Sequence, residues 1–487
     1  MAPTSPKRSL EAKLKDVDAR LRRLPGNTEL AFERARLLDK LERTDAAQKA
    51  YLAVLGRSPG HFGAINDLAM LLYRTGSRGD ALKLYAEAVD RHPDNPVAHA
   101  NLAFMFLKSQ EPARARDHYE MALRLDPTNT EAQRGLMAVL TQLGEATAVS
   151  ELREAGAGPS MTVLPYRGSG RPIPLLLLVS AGSGNISTER LIDDRVFETT
   201  KLVVEYHNRS QPLPHHQLAF NAIGDAESCA AALEAAGAIL AGSKAPLVNP
   251  PERISPTGRA ANAARLGSLP GVVTARTTLL PRAVLCGPGG PAILEEHGHG
   301  FPLLLRSPGY HTGQHFVRVD RPEELGAAAS ALPGDELLAI AFLDTRNADG
   351  LYRKYRVMLV GGEPYPVHMA VSPLWKVHYF SADMAESAAH RAEDEAFLAD
   401  MPAAIGAEAA FALRSVSETL GLDYGGIDFT IGANGSVVVF EANATMVLVP
   451  PQRDARWDYR RGPIERVFDA VGAMLRNKVS QASSRKH

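Results

Sequence analysis

Small and apolar positions in the first third of the chain recur at a fixed interval of 34 residues. Four prolines carry this interval, at Pro25, Pro59, Pro93 and Pro127. Equivalent positions before them hold alanines (Ala47, Ala81, Ala115), tyrosines (Tyr51, Tyr85, Tyr119) and a second set of apolar residues (Val54, Ala88, Ala122). Proline ends a helix, and an alanine at a helix crossing lets two backbones approach. The pattern predicts stacked helix–turn–helix units, with GLMAVLTQLG as a further helix.

The helical period fades after Arg153, and a stretch rich in glycine and proline follows. We predict a linker at residues 156–171, within AGAGPSMTVLPYRGSGRPIP, because no apolar period is present there. Beyond it, short apolar runs such as PLLLLVSA, LLAIAFL and VVVFEA alternate with helix-like stretches, which predicts an α/β or α+β fold. The GSGN turn after the first run lacks the third glycine of a dinucleotide fingerprint, so a tight turn is favoured there.

Composition and charge mainly exclude classes of partner and of cellular location. The chain has 487 residues, which argues for two to four domains. Lys and Arg total 54 against 55 for Asp and Glu, so the overall charge favours neither a nucleic-acid nor a membrane partner. The apolar runs are too short to span a membrane, and two cysteines cannot form a disulfide framework, so a cytoplasmic location is expected. His92, His99 and His118 are isolated, and we predict surface or core positions for them instead of ligand roles.

Candidate chemistry appears where polar residues interrupt an apolar strand near the C-terminus. Glu441 and Asn443 stand two apart in VVVFEANATM, so they share one face of a strand. The GANG turn between this run and GGIDFTI predicts a hairpin that brings Asp428 alongside. Three oxygen-bearing side chains on a dry sheet favour Mg²⁺ held partly by substrate phosphates. A structural hydrogen-bond network is the alternative.

A glycine-containing loop beside a basic residue is suited to phosphate. Gly309 and Gly313 bracket such a loop next to Arg306, in FPLLLRSPGYHTGQHFVRV. An ordinary hairpin with an incidental arginine has the same pattern. Lys376, in SPLWKVHYF, fits a phosphate or substrate contact and a surface strand equally well.

Two further segments carry charged residues at strand ends. The run ELLAIAFLDT ends a strand at Asp344. Arg353, Lys354 and Arg356 gather at the start of the apolar strand YRVMLVGG, where a solvated edge is the alternative to an anion site.

Two families share these motifs. Residues 26–127 resemble tetratricopeptide repeats in three units, and residues 172–478 resemble the ATP-grasp superfamily of carboxylate–amine ligases, most specifically in Asp428 followed by FEANATM. Together they imply an all-α solenoid followed by an α+β ATP-grasp fold with a pre-grasp α/β domain. The implied domains are the solenoid (10–155), the pre-grasp domain (172–265), the small lobe (266–345) and the large lobe with the metal site (346–478).

The ATP-grasp resemblance also implies roles for single residues. Asp428, Glu441 and Asn443 are expected to hold two Mg²⁺ ions that bridge the ATP phosphates. Arg259 and Arg306 stand where the family has lysines, and the AIAFLDT hinge lacks the common glutamate. The remaining expected contacts are Gly309 and Gly313 over the phosphates, Asp344 near the ribose, and Arg356 and Lys376 as catalytic residues on the transferred phosphate or substrate.

The function expected from this resemblance is ATP-dependent joining of a carboxylate to an amine through an acyl phosphate, on an amino acid or peptide. No convincing Ser/His/Asp or Cys/His nucleophile signature is present, and this chemistry requires none. We expect the solenoid to bind a peptide or protein, and a homo-oligomer is left open. The alternatives are a scaffold whose ATP-grasp part binds nucleotide without turnover, and kinase-like phosphorylation on the same fold.

Overall fold

The computed structural model divides the chain into two compact units, Met1–Pro159 and Ser160–His487. It describes residues 6–41, 43–145, 148–149, 151–152, 160–182, 184–208, 211–310, 313–377, 382–451 and 454–484. None of the helices in these ranges is long and apolar enough to cross a membrane. The division falls in the predicted linker, but Met161–Val163 in that linker form a strand.

The first unit is a succession of antiparallel helices, as the repeat predicts. Its described helices are α1 (Pro6–Arg23), α2 (Thr28–Lys40), α3 (Thr44–Arg57), α4 (Phe62–Arg74), α5 (Arg78–Arg91), α6 (Pro96–Lys108), α7 (Pro112–Leu125) and α8 (Thr130–Gln142). Each of the four periodic prolines lies in the loop after an odd-numbered helix. The GLMAVLTQLG segment forms most of α8 and its C-terminal turn, so the further helix is confirmed.

The repeated small and aromatic residues form the solenoid core. The three alanines at the first equivalent position are 0% exposed, and the three tyrosines that follow them are at most 4% exposed. Val54, Ala88 and Ala122 are likewise fully buried. A side chain larger than alanine at Ala47, Ala81 or Ala115 would separate the helices that cross there.

The same period sets the helix starts. Asn27, Asn95 and Asn129 each stand two residues after a periodic proline, and each side chain accepts a hydrogen bond from a backbone N–H of the following helix. His61 occupies the equivalent position, and its Nδ1 accepts from Ala64 N at 3.1 Å. A cap of this kind contributes about 1 kcal/mol to helix stability.

Two of the histidines that seemed isolated in the sequence are in contact. Nδ1 of His99 lies 3.1 Å from Nδ1 of His118, and Nε2 of His99 lies 2.8 Å from the carbonyl oxygen of Pro93. The rings of His118 and Phe106 stack at 5.5 Å. The pair ties α6 to α7, so the prediction of isolation was wrong while the structural role is retained.

The second unit combines fourteen described strands with α-helices of 4 to 24 residues. Its strands are β1 (Met161–Val163), β2 (Ile173–Val179), β3 (Phe197–Val203), β4 (Leu218–Asn221), β5 (Leu247–Val248), β6 (Val272–Thr274), β7 (Thr277–Pro281), β8 (Leu303–Arg306), β9 (Phe316–Val319), β10 (Glu336–Ala341), β11 (Tyr352–Val360), β12 (Glu363–Ser372), β13 (Tyr424–Ile431) and β14 (Val437–Asn443). Its α-helices are Ala230–Leu240, Pro251–Ile254, Arg259–Leu266, Arg282–Cys286, Gly290–Glu296, Leu325–Ser330, Ala388–Ala399, Met401–Ile405, Ala407–Leu420 and Arg461–Ser484. Four 3₁₀ turns complete it, at Val204–Tyr206, Ser255–Thr257, Pro322–Glu324 and Ala455–Arg460.

These strands form three sheets. The first has the order β1-β3-β2-β4-β5 and is parallel except for β1. The second is antiparallel, with the order β7-β10-β8-β9, and the third has the order β12-β11-β13-β14-β6. In the third sheet β6 pairs parallel to β14, although β6 lies in the segment assigned to the small lobe by sequence. The mixed α/β architecture predicted for this region is present.

Close packing around β13 and β14 explains why glycines precede Asp428. A Cβ added at Gly426 would lie 2.7 Å from the Sδ atom of Met446, and one added at Gly425 would lie 3.0 Å from the carbonyl oxygen of Asn443. No larger residue fits at either place without a shift of its neighbours. The two glycines therefore hold the strand carrying Asp428 close to the strand carrying Asn443.

Candidate functional site

A cavity of about 880 Å³ lies within the second unit and draws residues from all three sheets or the loops at their ends. This volume is within the range of small-molecule sites. Its lining includes most of the residues singled out by sequence: Arg259, Arg306, Gly313, Arg356, Lys376, Asp428, Glu441 and Asn443. Gly309 and Asp344 are not part of the lining.

One row of polar and charged residues crosses four strands at the floor of the cavity. In the register of the third sheet, His368 on β12 faces Arg356 on β11, Arg356 faces Asp428 on β13, and Asp428 faces Glu441 on β14. Asn443 follows two residues after Glu441 and faces Gly426. The hairpin predicted from the GANG turn is confirmed, and it places the three proposed oxygen ligands together.

Asp428 is the most deeply buried acid of this row, at 4% exposure. Arg356 donates two hydrogen bonds to its carboxylate, from Nε at 2.6 Å and from Nη2 at 2.8 Å, and the Lys354 ammonium lies 3.2 Å away. Burial alone would raise the pKa of Asp428, but Arg356 and Lys354 outweigh it and hold that pKa well below its ordinary value. Asp428 is therefore ionised over the whole physiological range.

His368, at the end of the row, has the opposite character. It is 7% exposed, and both burial and the neighbouring Arg356 hold its pKa well below the ordinary value. The ring is therefore neutral at neutral pH. A neutral imidazole beside a buried guanidinium adds no further positive charge to the floor.

Glu441 links the third sheet to the helix Arg259–Leu266. Its Oε1 accepts from Nη2 of Arg259 at 2.5 Å and from Nδ2 of Asn443 at 2.8 Å. Arg259 also binds Glu227, through its Nη1 at 2.9 Å and its backbone N–H at 2.8 Å. Oδ1 of Asn443 accepts from the backbone and hydroxyl of Thr445.

The donor set on β13 and β14 suits a hard divalent cation. Two carboxylates and one amide, all oxygen-bearing, lie in register on neighbouring strands, and Mg²⁺ prefers such ligands together with phosphate oxygens. In the described parts of the chain no three His, Cys, Asp or Glu side chains gather as a metal site. A metal here thus depends on the Asn443 amide and on ligand oxygens to complete its shell.

Two basic side chains on the cavity wall donate hydrogen bonds to backbone carbonyl oxygens. Arg306, which is 8% exposed, donates from Nη2 to the carbonyl oxygen of Tyr310, and Lys376 donates from Nζ to that of Phe316 at 3.2 Å. Within the described ranges neither side chain forms an ion pair, and Nε of Arg306 is buried without a hydrogen-bond partner. Burial, helped by Arg259, lowers the pKa of Arg306 to about 10, and burial together with Arg306 lowers that of Lys376. Two neighbouring cations that form no ion pair among the described residues suit an anion.

The loop beside these cations has glycines where its backbone adopts a left-handed conformation. Gly309 and Gly313 both have positive φ, at 74° and 72°. A Cβ at Gly313 would also lie 2.7 Å from Cε of Lys376, so the glycine lets the lysine cross it. Residues 311 and 312 of this loop lie outside the described residues.

The structure places Asp344 differently from the sequence-based expectation of a ribose contact. Its neighbours Leu343 and Thr345 line the cavity, whereas the Asp344 carboxylate pairs with Arg346, with Oδ2 at 2.5 Å from Nη2. That arginine holds the pKa of Asp344 below its ordinary value. The hinge position is in the cavity wall, but the acid itself is engaged elsewhere.

Sequence reasoning missed Phe440. The register shifts between Asp428 and Phe429, so that Phe440 and Glu441 together face the single residue Asp428. This β-bulge turns the Phe440 ring into the cavity lining with 45% of its surface exposed. An aromatic residue between a valine run and a glutamate was the available signal, but simple alternation assigns it to the other face.

Comparison with known proteins bears on the repeat region. A family model described as a tetratricopeptide repeat matches residues 32–77 and 66–130. The comparison with curated proteins gives no match.

Among solved structures, residues 41 to the end of MamA from Desulfovibrio magneticus RS-1 are similar, with 18% identity, TM-score 0.28, and coverage of 30% of this chain and 83% of that one. YrrB, described as a tetratricopeptide-repeat protein with an unusual peptide-binding site, has 16% identity, TM-score 0.26, and coverage of 29% of this chain and 71% of that one. PilF of Pseudomonas aeruginosa has 18% identity, TM-score 0.29, and coverage of 31% and 70%. The first unit of this chain carries tetratricopeptide repeats.

Proposed function

We propose that the second unit is an ATP-grasp enzyme that joins a carboxylate to an amine with consumption of ATP. The observation that carries this proposal is the row Arg356–Asp428–Glu441, with Asn443 beside it, on the floor of a cavity whose wall holds Arg306 and Lys376. Oxygen ligands for a divalent cation and unpaired cations around one cavity suit a nucleoside triphosphate with its metal.

The two ends of a nucleotide would meet different parts of this lining. The phosphates would lie toward Arg306 and Lys376, since neither cation forms an ion pair in the described part of the chain and both donate only to backbone carbonyl oxygens there. The base would pack against apolar lining residues that include Phe440 and Leu343. A flat apolar group that stacks on a half-exposed aromatic ring removes apolar surface of both from water, which stabilises the contact.

Asp428, Glu441 and Asn443 would hold Mg²⁺, which in phosphoryl transfer neutralises charge on the phosphates. Arg356 fixes the carboxylate of Asp428 through its bidentate contact, so that this ligand is positioned before anything binds. Lys354 adds a second positive charge beside the same carboxylate. The residues of the row therefore order an oxygen ligand and supply cations to the phosphate side.

The reaction we propose has two balanced steps. A substrate carboxylate oxygen attacks the γ-phosphorus of ATP, the bond to the leaving ADP oxygen breaks, and an acyl phosphate forms. The amine then attacks the acyl carbon, inorganic phosphate leaves, and the amine proton passes to solvent. No side-chain nucleophile takes part, so charge stabilisation by Arg306, Lys376 and Arg356 is the main contribution required of the chain.

We propose that the solenoid binds a peptide or protein, either the substrate or a partner. Helices α4 and α6 present partly exposed side chains of mixed character, including the amides Asn66 and Asn101, joined by a hydrogen bond of 2.5 Å. The rings of Tyr73 and Phe104 meet edge to face at 5.5 Å. Amides and aromatic rings on one repeat face suit the backbone and side chains of an extended segment.

ATP turnover against pools of amino acids and peptides tests the ligase proposal, with ADP release and product masses measured together. We expect ADP and a condensed product with one pool, and a loss of about 100-fold in turnover for Glu441→Gln. Glu363→Gln, at an acid 66% exposed on the surface, is the matched control.

Each negative result has a distinct meaning. Absence of ADP with every pool, together with unaltered Mg·ATP affinity in Glu441→Gln, would overturn the ligase proposal in favour of an interaction scaffold. A phosphorylated product without a new C–N bond would indicate a kinase instead. Deletion of residues 1–155 should raise the KM for a peptide substrate, and an unchanged KM would assign the solenoid to a separate partner.

A further inference from the structure

We propose that Arg259 and a divalent cation compete for Glu441, so that bound nucleotide, by attracting Arg259, raises the affinity of this site for the metal. This proposal rests on the nucleotide-dependent function above and concerns the regulation of that same cavity. It assigns Arg259 a positioning role beyond a contact to phosphate. The contacts of its guanidinium carry the argument.

Arg259 bridges two acids that belong to different parts of the second unit. Its Nη2 lies 2.5 Å from Glu441 on β14, and its Nη1 lies 2.9 Å from Glu227, which precedes the helix Ala230–Leu240. All three side chains are mostly buried, with exposures of 14%, 24% and 18% for Arg259, Glu441 and Glu227. A partly desolvated pair of this kind is less screened than a surface ion pair.

The contact occupies the oxygen that also orients the neighbouring ligand. Oε1 of Glu441 accepts from both Arg259 and Asn443. A divalent cation on this carboxylate would share it with the guanidinium, and the repulsion between the two cations is strong where solvent screening is weak. Metal binding to Glu441 therefore favours withdrawal of Arg259.

Arg259 can withdraw from Glu441 because Glu227 and a phosphate bound near Arg306 would both attract its guanidinium. Glu227 keeps one side of the guanidinium, through contacts to both Nη1 and the backbone N–H. Arg306 is close enough to Arg259 for their charges to interact, so phosphate held by Arg306 also attracts Arg259. Bound phosphate would thus stabilise the arrangement in which Glu441 is released to the metal.

The thermodynamic consequence is coupling between metal and nucleotide. If nucleotide withdraws the competing guanidinium, it raises metal affinity, and metal raises nucleotide affinity by the same factor. Removal of the guanidinium should raise the affinity for the metal alone. It should also shrink the factor by which nucleotide improves metal binding.

Mn²⁺ binding to the full chain, followed by electron paramagnetic resonance of the aqueous ion, tests this directly. Each protein is titrated alone and with a non-hydrolysable ATP analogue. We expect weak Mn²⁺ binding to the wild type alone, and binding about ten-fold tighter to Arg259→Met, within the usual range of coupling factors. Arg259→Lys, which keeps the charge, should lie between them.

Two further variants separate competition from a general effect of charge. Arg353→Met also removes a cavity arginine held by two acids, Asp349 and Glu393, but not one that touches Glu441, so it should leave Mn²⁺ affinity unchanged. Adding Glu441→Gln to Arg259→Met should abolish the gain. Thermal unfolding of each variant establishes that it is folded.

Failure of the competition proposal and failure of the ligase proposal give different results in these experiments. Equal Mn²⁺ affinity in wild type and folded Arg259→Met, or an equal gain in Arg353→Met, would overturn the competition. A wild type that binds the ATP analogue neither with nor without Mn²⁺ would overturn the nucleotide site itself. In that case, the ten-fold gain in Arg259→Met would still report competition for Glu441.

Discussion

Replacement of Asp428 by alanine should destabilise the second unit strongly, because it leaves two buried cations without their counter-ion. Asp428 is 4% exposed, and the side chains of Arg356 and Lys354 are 23% and 15% exposed. Removing one partner of a buried pair typically costs about 3–5 kcal/mol, and we expect a loss in that range. Asp428→Asn keeps the shape of the side chain and should cost less, about 2 kcal/mol.

Urea unfolding of the full chain, followed by tryptophan fluorescence, measures this loss. Both tryptophans of the chain, Trp375 and Trp457, lie in the second unit, so the signal reports its unfolding separately from the solenoid. Asp454→Asn serves as control, since Asp454 pairs with Arg456 at the surface and should contribute little. The slope of free energy against urea should stay the same in all variants.

The pH dependence gives a second check on the same reasoning. The folded-state pKa of Asp428 is lowered, so its contribution is fully present above the unfolded value of about 3.9 and is lost only as the pH falls below it. The difference between wild type and Asp428→Ala should therefore be constant from about pH 5 upward. A loss below about 1 kcal/mol, or one that vanishes by pH 6, would refute the assignment of a buried ion pair.

Four other substitutions test single side chains. Tyr85→Phe removes a buried hydroxyl that has no hydrogen-bond partner among the described residues, so solenoid stability by circular dichroism should be unchanged or rise by about 1 kcal/mol. Tyr459→Phe breaks a 2.7 Å hydrogen bond to the buried carboxylate of Asp394 and should lower the stability of the second unit. Asn95→Ala removes a helix cap and should lower the free energy of unfolding by about 1 kcal/mol in the circular dichroism assay. A loss smaller than that caused by an alanine substitution at an exposed position in the middle of a helix would contradict the capping role. Burial and His99 lower the pKa of His118, so its stabilising neutral form is favoured above about pH 6.5 and lost as the pH falls, and His118→Gln should flatten the decline in melting temperature between pH 7.5 and 5.5.

The solenoid was predictable because its determinants are local and repeated. A small residue such as Ala81 and a tyrosine such as Tyr85 recur at one interval, and each recurrence corroborates the last. The asparagine helix caps follow the same interval, at Asn27, Asn95 and Asn129. The contact between His99 and His118 was not predictable, because it depends on how two neighbouring helices cross.

For the candidate site, residues within one hairpin were predictable and residues across sheets were not. Alternation and the GANG turn correctly brought Asp428 beside Glu441. The bulge at Phe440 was not predictable, because nothing in the sequence of one strand specifies that two of its residues will lie opposite a single residue of the neighbouring strand. The contact of Arg259 with Glu441 and the pairing of Asp344 with Arg346 depend on tertiary packing and local side-chain geometry that periodicity does not record.

The parallel pairing of β6 with β14 has a consequence for the newly synthesised chain. Val272 and Val273 leave the ribosome long before Val437 and Val438, the residues with which they pair. Until β14 is synthesised, the edge of β6 that pairs with it is exposed, and exposed apolar strand edges promote aggregation. We expect translation stalled before β14 to yield a chain that depends on chaperones. Strand β14, which carries Glu441 and Asn443, should be among the last strands to pair.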